Sequence, residues 1–433
     1  MSGLSSQPYK GTRDLYPADK RVQNYIFSTW HRISKLYGYE EYGASILEPL
    51  EVYAAKSGQE LANEQTYSFV DRGGRTVAIR PEMTPTISRM VAARRQELAY
   101  PARLYSIANF MRYERPQRGR EREFWQLNAD VFGDDTVAAE AEIITMGDNI
   151  MKEFGAKPDD YVIRINNRKL INFMMAQYLG LDATQAQSMV KLLDRKNKIS
   201  QQDFTDQATE IFGDQPEVGL VNLEKLLSAN SMAELPAEIR DSSSVREIQE
   251  LFTLLERAGV TSLKFDITLM RGLDYYTGMV FEVFDTDPEN NRSLFGGGRY
   301  DGLVGLFGAE PISAVGMAPG ETTMELFLTI HNLLPAVPST TKVYVAALGD
   351  VAREATKLAR ELRSKNINTE LDVSGRKLDK QIKTALKKDI PYILFIGEAE
   401  VASGIYTLKN TASSEEYKLN FDEVIDRINE EIK

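Results

Sequence analysis

The chain has 433 residues, which predicts two to four domains, and its formal net charge of −11 argues against nucleic-acid binding by the whole surface. It contains no cysteine, which excludes disulfides, thiolate metal sites and cysteine nucleophiles, and only two histidines, His31 and His331, which disfavours histidine triads and multi-histidine metal sites. No apolar run is long enough to span a membrane, and the first residues lack the apolar stretch of a signal peptide.

The first region, from Thr12 to about Glu153, alternates helices and short strands. Residues 76–81 and 103–111 predict strands. Residues 138–154 place apolar side chains on one helical face and predict a helix, for which Gly155 is a suitable C-terminal stop.

Residues 160–257 predict an inserted helical domain, since helical patterns dominate there and polar turns separate them. Strand-like segments then return, and residues 263–270, 279–286 and 312–318 each predict a strand. The glycine-dense segment FGGGRYDGL lies between the last two. Its composition predicts a backbone that closely approaches a ligand or another strand.

Residues 331–342 are rich in Pro, Ser and Thr and predict a linker. Beyond it, the apolar strands VYVAAL, NTELDV and YILFIGE alternate with two amphipathic helical segments. This alternation predicts a small α/β domain at 343–433.

The densest chemical feature is the segment 109–132, NFMRYERPQRGREREFWQLNADVF. It predicts a strand, a loop and a second strand that carries Gln126 and Asp130 at alternating spacing. The loop holds five arginines: Arg112, Arg115, Arg118, Arg120 and Arg122. Forked, permanently charged donors of this kind suit a polyphosphate or a nucleic-acid backbone. An equally weighted interpretation is a solvated hairpin whose arginines pair with Glu114, Glu121 and Glu123.

Two further segments carry polar groups at turns. RPEMTP places Glu82 and Thr84 just past a strand, where the turn either aims a carboxylate into a cleft or is purely structural. RGLDYYTG joins Arg271 to Tyr275 and Tyr276, which suits a phosphate beside a small planar ligand or, equally, a buried aromatic strand. No Walker-type or G-x-G-x-x-G motif is present, so any ATP site here uses neither of those folds.

The sequences of these segments and their order along the chain resemble those of histidyl-tRNA synthetases, which are class II aminoacyl-tRNA synthetases. GTRDLYP resembles the family's opening, LEPLEVYAAKSG its motif 1 with Pro49, RPEMTP its RPE-x-T segment, and ERPQRGREREFWQ its motif 2. RGLDYYTG and GGGRYDGL resemble two peptides that set histidyl enzymes apart from other class II synthetases. INNRKLINFMM resembles the start of the family's helical insertion, and GRKLDKQIKTALKKDIPYILFIGE its anticodon-binding domain.

The resemblance implies an α+β fold with a class II catalytic core on an antiparallel sheet, a helical insertion and a C-terminal α/β anticodon-binding domain. The implied divisions are residues 1–159 and 258–330 for the catalytic core, 160–257 for the insertion, 331–342 for the linker and 343–433 for the anticodon-binding domain. It also implies a cytoplasmic homodimer formed through motif 1, with L-histidine, ATP, Mg²⁺ and tRNA(His) as its substrates and ions.

The resemblance further implies roles for individual residues. The histidine site would comprise Glu82, Thr84 and Asp130 at the α-amino group, Gln126 as an orienting group, and Tyr275, Tyr276 and Tyr300 toward the imidazole. The ATP site would comprise Arg112 and Arg271 on two sides of the α-phosphate, as the catalytic pair that also faces the histidine carboxylate, with Arg120 at the outer phosphates and Glu114 at the adenine amino group. The tRNA contacts would comprise Gln117 and Arg118 at the acceptor end and Lys377, Lys380, Lys387 and Lys388 at the anticodon.

One position departs from the family pattern. Motif 3 normally ends in G-L-E-R, whose arginine binds the ATP γ-phosphate, whereas the corresponding run here, AVGMAPGETTMEL, places Thr323 at that position. A threonine cannot supply a forked cation. Arg299 and Arg120 are the arginines that we consider as replacements.

Two alternatives to a tRNA-charging enzyme follow from the same resemblance. One is a synthetase-like regulatory subunit of histidine biosynthesis, which binds histidine but charges no tRNA and usually lacks the anticodon-binding domain. The other is an RNA-binding paralogue with an inactive site, which Thr323 alone supports. Histidine-dependent ATP–pyrophosphate exchange separates both from the enzyme.

Overall fold

The computed structural model describes residues 4–54, 65–196, 199–214, 216–229, 231–269, 275–290 and 292–430. The chain divides into two units, Met1–Leu334 and Pro335–Lys433, each of which has its own apolar core. Within the described ranges, no helix combines the length and the apolar character needed to cross a membrane.

Sixteen strands are described, in sheets of eight, three and five strands. They are β1 Glu40–Glu41, β2 Leu47–Pro49, β3 Ser68–Val70, β4 Thr76–Ile79, β5 Ala102–Met111, β6 Glu123–Phe132, β7 Tyr161–Asn167, β8 Leu263–Phe265, β9 Met279–Asp285, β10 Ser293–Arg299, β11 Ala314–Met317, β12 Val343–Ala347, β13 Thr369–Asp372, β14 Tyr392–Ile396, β15 Tyr406–Asn410 and β16 Glu416–Leu419.

Fifteen α-helices are described with them. They are α1 Pro17–Leu36, α2 Glu51–Ala54, α3 Thr84–Ala93, α4 Val137–Glu153, α5 Arg168–Phe173, α6 Ala183–Asp194, α7 Gln201–Phe212, α8 Pro216–Ser228, α9 Ala237–Arg240, α10 Ser243–Arg257, α11 Glu321–Ile330, α12 Ala352–Ser364, α13 Leu378–Lys387, α14 Glu398–Ser403 and α15 Phe421–Glu430.

The eight-stranded sheet has the order β1-β5-β6-β11-β10-β9-β7-β8. Its inner pairs are all antiparallel, and the two parallel pairs, β1–β5 and β7–β8, lie at its edges. The long hairpin β5–β6 pairs Ala102 with Phe132 at one end and Met111 with Glu123 at the other. The predicted antiparallel core is therefore confirmed.

Helix α4 confirms the helix predicted at residues 138–154. Its Ile143, Ile150 and Met151 are fully buried, as their spacing on one face requires. The helix ends before Gly155, whose φ of +88° lies in the left-handed region that glycine adopts without steric cost.

The strand predicted at residues 263–270 is wrong beyond its first three residues. The strand β8 ends at Phe265 because the Asp266 side chain folds back along the chain, where its Oδ1 accepts hydrogen bonds from the backbone N–H and the hydroxyl of Thr268. Residues 267–269 continue as a turn, and residue 270 lies outside the described residues.

The glycine run of β10 lies between β9 and β11. A Cβ atom on Gly297 would approach the carbonyl oxygen of Gly316 to 2.1 Å, and one on Gly296 would approach that of Phe281 to 2.8 Å. The predicted close approach is thus made to neighbouring strands.

Helices α5 to α10 form a helical region that begins directly after β7, a strand of the main sheet. The Asn167 side chain caps α5 by accepting a hydrogen bond from the backbone N–H of Lys169. Helix α10 buries the face formed by Val245, Ile248 and Leu251, and it packs against α4.

The second unit holds a five-stranded sheet of order β13-β12-β14-β15-β16. The first three strands are parallel, and β15 and β16 are antiparallel additions. Helix α12 buries Leu358, Ala359 and Leu362 against this sheet, as the predicted helical face requires. The α/β alternation predicted for this region is confirmed.

Candidate active site

A cavity of about 340 Å³ lies in the first unit, lined by strands β6, β9, β10 and β11, the turn after β4 and the first turn of α11. The structure brings ten of the predicted histidine- and ATP-site residues together around it: Glu82, Thr84, Arg112, Glu114, Arg120, Gln126, Asp130, Tyr275, Tyr276 and Tyr300. The eleventh, Arg271, lies outside the described residues.

Strand β6 supplies one wall of the cavity. Its alternating residues Gln126, Asn128 and Asp130 face the cavity because successive side chains of a strand point to opposite sides. Gly316 of β11 pairs with Asp130 across the sheet, and a Cβ atom on Gly316 would lie 2.0 Å from Asp130 Oδ1. The glycine therefore leaves the space that the carboxylate occupies.

Asp130 is a buried carboxylate at the deep end of this wall. The Tyr300 hydroxyl donates a hydrogen bond to its Oδ1 at 2.5 Å, while its Oδ2 has no hydrogen-bond partner among the described residues. Burial raises the pKa of Asp130 to about 7, and the hydrogen bond from Tyr300 partly opposes that rise. One oxygen thus remains available for a cationic or donor group of a ligand.

A second carboxylate, that of Glu82, faces the cavity from the turn before α3. The Tyr275 hydroxyl donates to Glu82 Oε2 at 2.9 Å, and burial beside this carboxylate raises the pKa of Tyr275. Thr84 is the first residue of α3. The rings of Tyr276 and Tyr300 flank Tyr275, with centroids 5.1 and 5.8 Å from it. Two carboxylates and three tyrosines therefore line the same end of the cavity.

Two arginines of the cavity wall flank Glu114. Arg112 is fixed by a hydrogen bond from its Nε to the carbonyl oxygen of Pro81 at 2.8 Å, and its guanidinium lies over the ring of Phe124. Arg120 places its Nε 2.5 Å from Glu114 Oε2, whereas Arg112 Nη1 is 3.9 Å from Glu114 Oε1. This confirms, for Glu114, the arginine–glutamate pairing considered from the sequence.

Thr323 lies in the first turn of α11 and lines the cavity. Its hydroxyl donates to the carbonyl oxygen of Leu294 at 2.8 Å. The buried Glu321 beside it accepts hydrogen bonds from Arg13 at 2.7 and 3.0 Å, and Arg13 also pairs with Glu121 and Glu325. Burial raises the pKa of the Glu321 carboxyl, and Arg13 opposes that rise.

The prediction that Arg299 could replace the missing motif 3 arginine is wrong. Its guanidinium is buried and donates to both carboxylate oxygens of Glu140, at 2.6 and 2.5 Å, and to the carbonyl oxygens of Asp134 and Thr136. Arg299 is not among the described residues that line the cavity. Arg120 remains the replacement that the geometry allows.

None of the predicted tRNA contacts is among the described residues that line the cavity. Gln117 and Arg118 are exposed in a turn at the tip of the β5–β6 loop. In the second unit, Lys377, Lys380, Lys387 and Lys388 are exposed at or near α13, and Lys388 pairs with Glu370.

The sequence interpretation missed five polar residues of the cavity wall: Asn128, Glu121, Glu282, Glu321 and Thr322. Asn128 could have been found, because it lies midway between Gln126 and Asp130 in the alternation of β6. It is buried, and its Oδ1 has no hydrogen-bond partner among the described residues. Glu282 carries no local signal, since only the pairing of β9 with β10 brings it to the cavity, whereas Glu321 begins α11 within the run that resembles motif 3.

Comparison with known proteins agrees with this geometry. A family model described as histidyl-tRNA synthetase matches residues 11–320, and one described as an anticodon binding domain matches residues 342–431. A histidine–tRNA ligase of Leptospira biflexa serovar Patoc is 41% identical over 432 residues, which cover 99% of this chain and 98% of that protein.

Two solved structures share the fold. The histidyl-tRNA synthetase of Nostoc sp. PCC 7120 superposes with a TM-score of 0.83 at 25% identity and covers 99% of this chain and 100% of that one. A protein of Bacillus halodurans C, described as an ATP phosphoribosyltransferase regulatory subunit/histidyl-tRNA synthetase, has a TM-score of 0.74 at 24% identity and covers 91% of this chain and 100% of that one, a likeness of fold alone. Since the family model matches more than half of the chain and the identity to the Leptospira biflexa protein extends over almost its full length, the protein belongs to the histidyl-tRNA synthetase family.

Proposed function

We propose that the protein is a histidine–tRNA ligase, which joins histidine to ATP as histidyl-adenylate, releases pyrophosphate and then transfers histidine to the 3′ end of tRNA(His). The observation that carries this proposal is the polarity of the cavity. The carboxylates of Glu82 and Asp130 and the guanidinium groups of Arg112 and Arg120 line the same cavity. An amino acid and a polyphosphate need these two environments side by side.

Histidine would bind beside the carboxylates of Glu82 and Asp130. Glu82, Thr84 and Asp130 would hold the α-amino group, because a buried ammonium needs paired carboxylates. Gln126 would orient the substrate. Tyr276 and Tyr300, with Tyr275 beside them, would line the imidazole pocket. A site that hydrogen-bonds a polar side chain rejects analogues that lack it, so no editing step is needed.

ATP would bind beside the guanidinium groups of Arg112 and Arg120. Arg112 would contact the α-phosphate and the histidine carboxylate, and Arg271 would contact the same phosphate from the opposite side. Arg120 would lie on the outer phosphates. Glu114, which pairs with Arg120 in this structure, would accept from the adenine amino group. The fixed position of Arg112 over Phe124 supports its role, since a preorganised cation stabilises developing charge without rearrangement.

The first step needs no general base. A histidine carboxylate oxygen attacks the α-phosphorus, the bond from that phosphorus to the bridging oxygen breaks, and pyrophosphate leaves with the electron pair. Mg²⁺ would arrive bound to ATP and would supply positive charge at the phosphate oxygens, while Glu121 and Glu321, the carboxylates that could approach it, pair with Arg13 in this structure. In the second step the terminal ribose hydroxyl of tRNA attacks the adenylate carbonyl and releases AMP.

The tRNA would contact both units of the chain. Gln117 and Arg118, exposed at the tip of the β5–β6 loop, would meet the acceptor end. The second unit would bind the anticodon, with the exposed lysines at α13 as its electrostatic contribution. Because tRNA is charged where translation takes place, we place the enzyme in the cytoplasm.

We propose a homodimer formed through the motif 1 region. The three-stranded sheet β2-β4-β3 and the residue before it expose the apolar side chains of Ile46, Leu47, Phe69 and Val70. Exposed apolar side chains on edge strands are typical of protein–protein interfaces. A light-scattering mass of one chain at micromolar concentration would contradict this arrangement.

The deciding experiment is ATP–pyrophosphate exchange with Mg²⁺, run with histidine and with a panel of other amino acids. Exchange that depends on histidine alone supports the proposal and shows that Thr323 is compensated. If the protein binds histidine but supports no exchange, then it is a regulatory subunit or an inactive RNA-binding paralogue.

A further inference from the structure

In the proposed ATP site, the cation available for the outer phosphates would be carried by a loop. Because Thr323 replaces the arginine of α11, the basic residues among the described cavity wall are Arg112 and Arg120. Arg112 is bonded to the carbonyl oxygen of Pro81 and stacked on Phe124. Arg120 is half exposed and belongs to the loop between β5 and β6. The position of that loop therefore decides where the cation lies.

The loop ends in a tight turn. Gln117 and Arg120 exchange both backbone hydrogen bonds, with N–O distances of 3.0 and 2.8 Å. Gly119 within the turn has a φ of +73°, which favours glycine. Since the turn includes Arg120 itself, holding the turn also holds the origin of the Arg120 side chain.

Arg292, from the connection between β9 and β10, holds this turn. Its Nη1 donates to the carbonyl oxygen of Arg118 at 2.7 Å, and its Nη2 donates to Gln117 Oε1 at 3.2 Å. The two planar donors of one guanidinium thus bind the backbone and a side chain of the same turn, a geometry that a single point charge cannot reproduce.

The connection that carries Arg292 is itself anchored by buried groups. Asn290 donates from Nδ2 to Asp285 Oδ2 at 2.7 Å, and His331 Nε2 lies 2.8 Å from Asp285 Oδ1. The Asp285 side chain has no solvent exposure. Because this connection is anchored, the Arg292 guanidinium restrains its partners more strongly than an arginine on an unanchored loop would.

We propose that Arg292 is a positioning residue that fixes the turn at Gln117–Arg120, so that Arg120 stays over the outer phosphates of ATP and replaces the cation missing from α11. The inference rests on the proposed ATP-dependent function. It predicts that Arg292 affects the use of ATP but not the use of histidine, because the histidine end is built from Glu82, Asp130 and the tyrosines.

The kinetic test compares Arg292→Ala with the full-length protein in histidine-dependent exchange. We expect KM for ATP to rise roughly three- to tenfold, with KM for histidine unchanged. Arg292→Lys retains one donor and should give an intermediate value. Arg363→Ala is the matched control, since Arg363 is an exposed arginine of the second unit that donates to the carbonyl oxygen of Thr369. Equal KM changes for both substrates, or none, would overturn the proposal.

A second readout is independent of activity. Trypsin cleaves after Arg118 and Arg120, so the cleavage rate in this turn, followed by mass spectrometry, reports how firmly the turn is held. We expect Arg292→Ala to increase that rate and Arg363→Ala to leave it unchanged. An unchanged cleavage rate in Arg292→Ala would overturn the proposal that Arg292 holds this turn. If the wild-type protein supports no exchange but Arg292→Ala is cleaved faster than the wild type, then the ligase assignment is wrong and Arg292 still holds the turn.

Discussion

The protonation state of Asp130 affects both the stability of the folded protein and the proposed binding of histidine. Its pKa of about 7 in the folded protein lies above the usual value of 3.8, so the folded state binds this proton more tightly than the unfolded state does. Stability is therefore lost as the pH rises from about 4 to about 7. We expect Asp130→Asn, which carries no such charge, to stabilise the protein by roughly 2–3 kcal/mol more at pH 8 than at pH 5.

Chemical denaturation of wild type and Asp130→Asn at both pH values measures this difference. An advantage of the same size at pH 5 and pH 8 would mean that Asp130 titrates like an exposed aspartate. The same substitution removes a charge that we place on the histidine ammonium, so KM for histidine in exchange should rise at least about tenfold.

Gly316 is the residue that makes room for Asp130. A methyl group there would lie 2.0 Å from Asp130 Oδ1, so Gly316→Ala must displace the carboxylate or the strand. We expect a loss of histidine-dependent exchange of at least about tenfold, with a smaller effect on KM for ATP. Gly302→Ala is the matched control, because nothing lies within 4 Å of a Cβ atom built at Gly302. Equal exchange rates in the two variants would refute the steric argument.

At the residue scale, the alternation in β6 placed Gln126 and Asp130 on the cavity wall but was not extended to Asn128. Side-chain partners were harder to predict. Arg299 lies in a run that suggested a ligand contact, yet its guanidinium is committed to Glu140. The two residues come from different elements, and no local pattern shows which arginine will be buried against which carboxylate.

The N-terminal segment and helix α11 are joined by Arg13. This guanidinium pairs with the buried Glu321 and with Glu325 on the helix and with Glu121 at the base of the β5–β6 loop. Removing it leaves the Glu321 carboxylate, which has 1% of its side chain exposed, without its cation. The GTRD peptide thus fastens the segment that precedes α1 to the cavity wall.

We expect Arg13→Ala to lower the free energy of unfolding by about 2 kcal/mol, less than for a fully buried pair because Arg13 is partly exposed. The loss should be larger at pH 8 than at pH 5, since an unpaired buried carboxyl accepts a proton at the lower pH. Urea denaturation at the two pH values measures both effects, with Glu325→Ala as a control that removes a more exposed partner. A pH-independent loss would exclude Glu321 as the cause.

Element types followed closely from local patterns, and element ends did so less well. Helix α4 and strand β5 were predicted to within one residue at each end, because each keeps a regular pattern over ten or more residues. The strand predicted at 263–270 failed after Phe265 because a side-chain hydrogen bond within the turn, from Thr268 to Asp266, overrode an apolar run.

The proposed roles of the two units of the molecule can be tested separately. Each has its own apolar core, and the cavity lies wholly within the first. A truncated chain, 1–334, should therefore retain histidine-dependent exchange within about tenfold, a loss of no more than about 1.4 kcal/mol. It should lose most of its aminoacylation of tRNA, because the proposed anticodon contacts lie in the second unit.

Exchange and aminoacylation assays on the truncated chain and the full chain test this separation. Circular dichroism of the truncated chain supplies the control for folding. If both activities fall together while the truncated chain remains folded, then the second unit contributes to the catalytic site, and the assignment of its role to the anticodon is wrong.

The sequence by itself determined the family, most of the element types and ten of the polar and aromatic residues that line the cavity, because motif sequences and side-chain periodicity are local properties of the chain. The tertiary structure alone decided three other features: the space that Gly316 leaves for Asp130, the pairing of Arg299 with Glu140, and the clamp of Arg292 on the loop that carries Arg120. Each depends on which distant strands become neighbours. Burial, and with it the raised pKa of Asp130, exists only after those strands have paired.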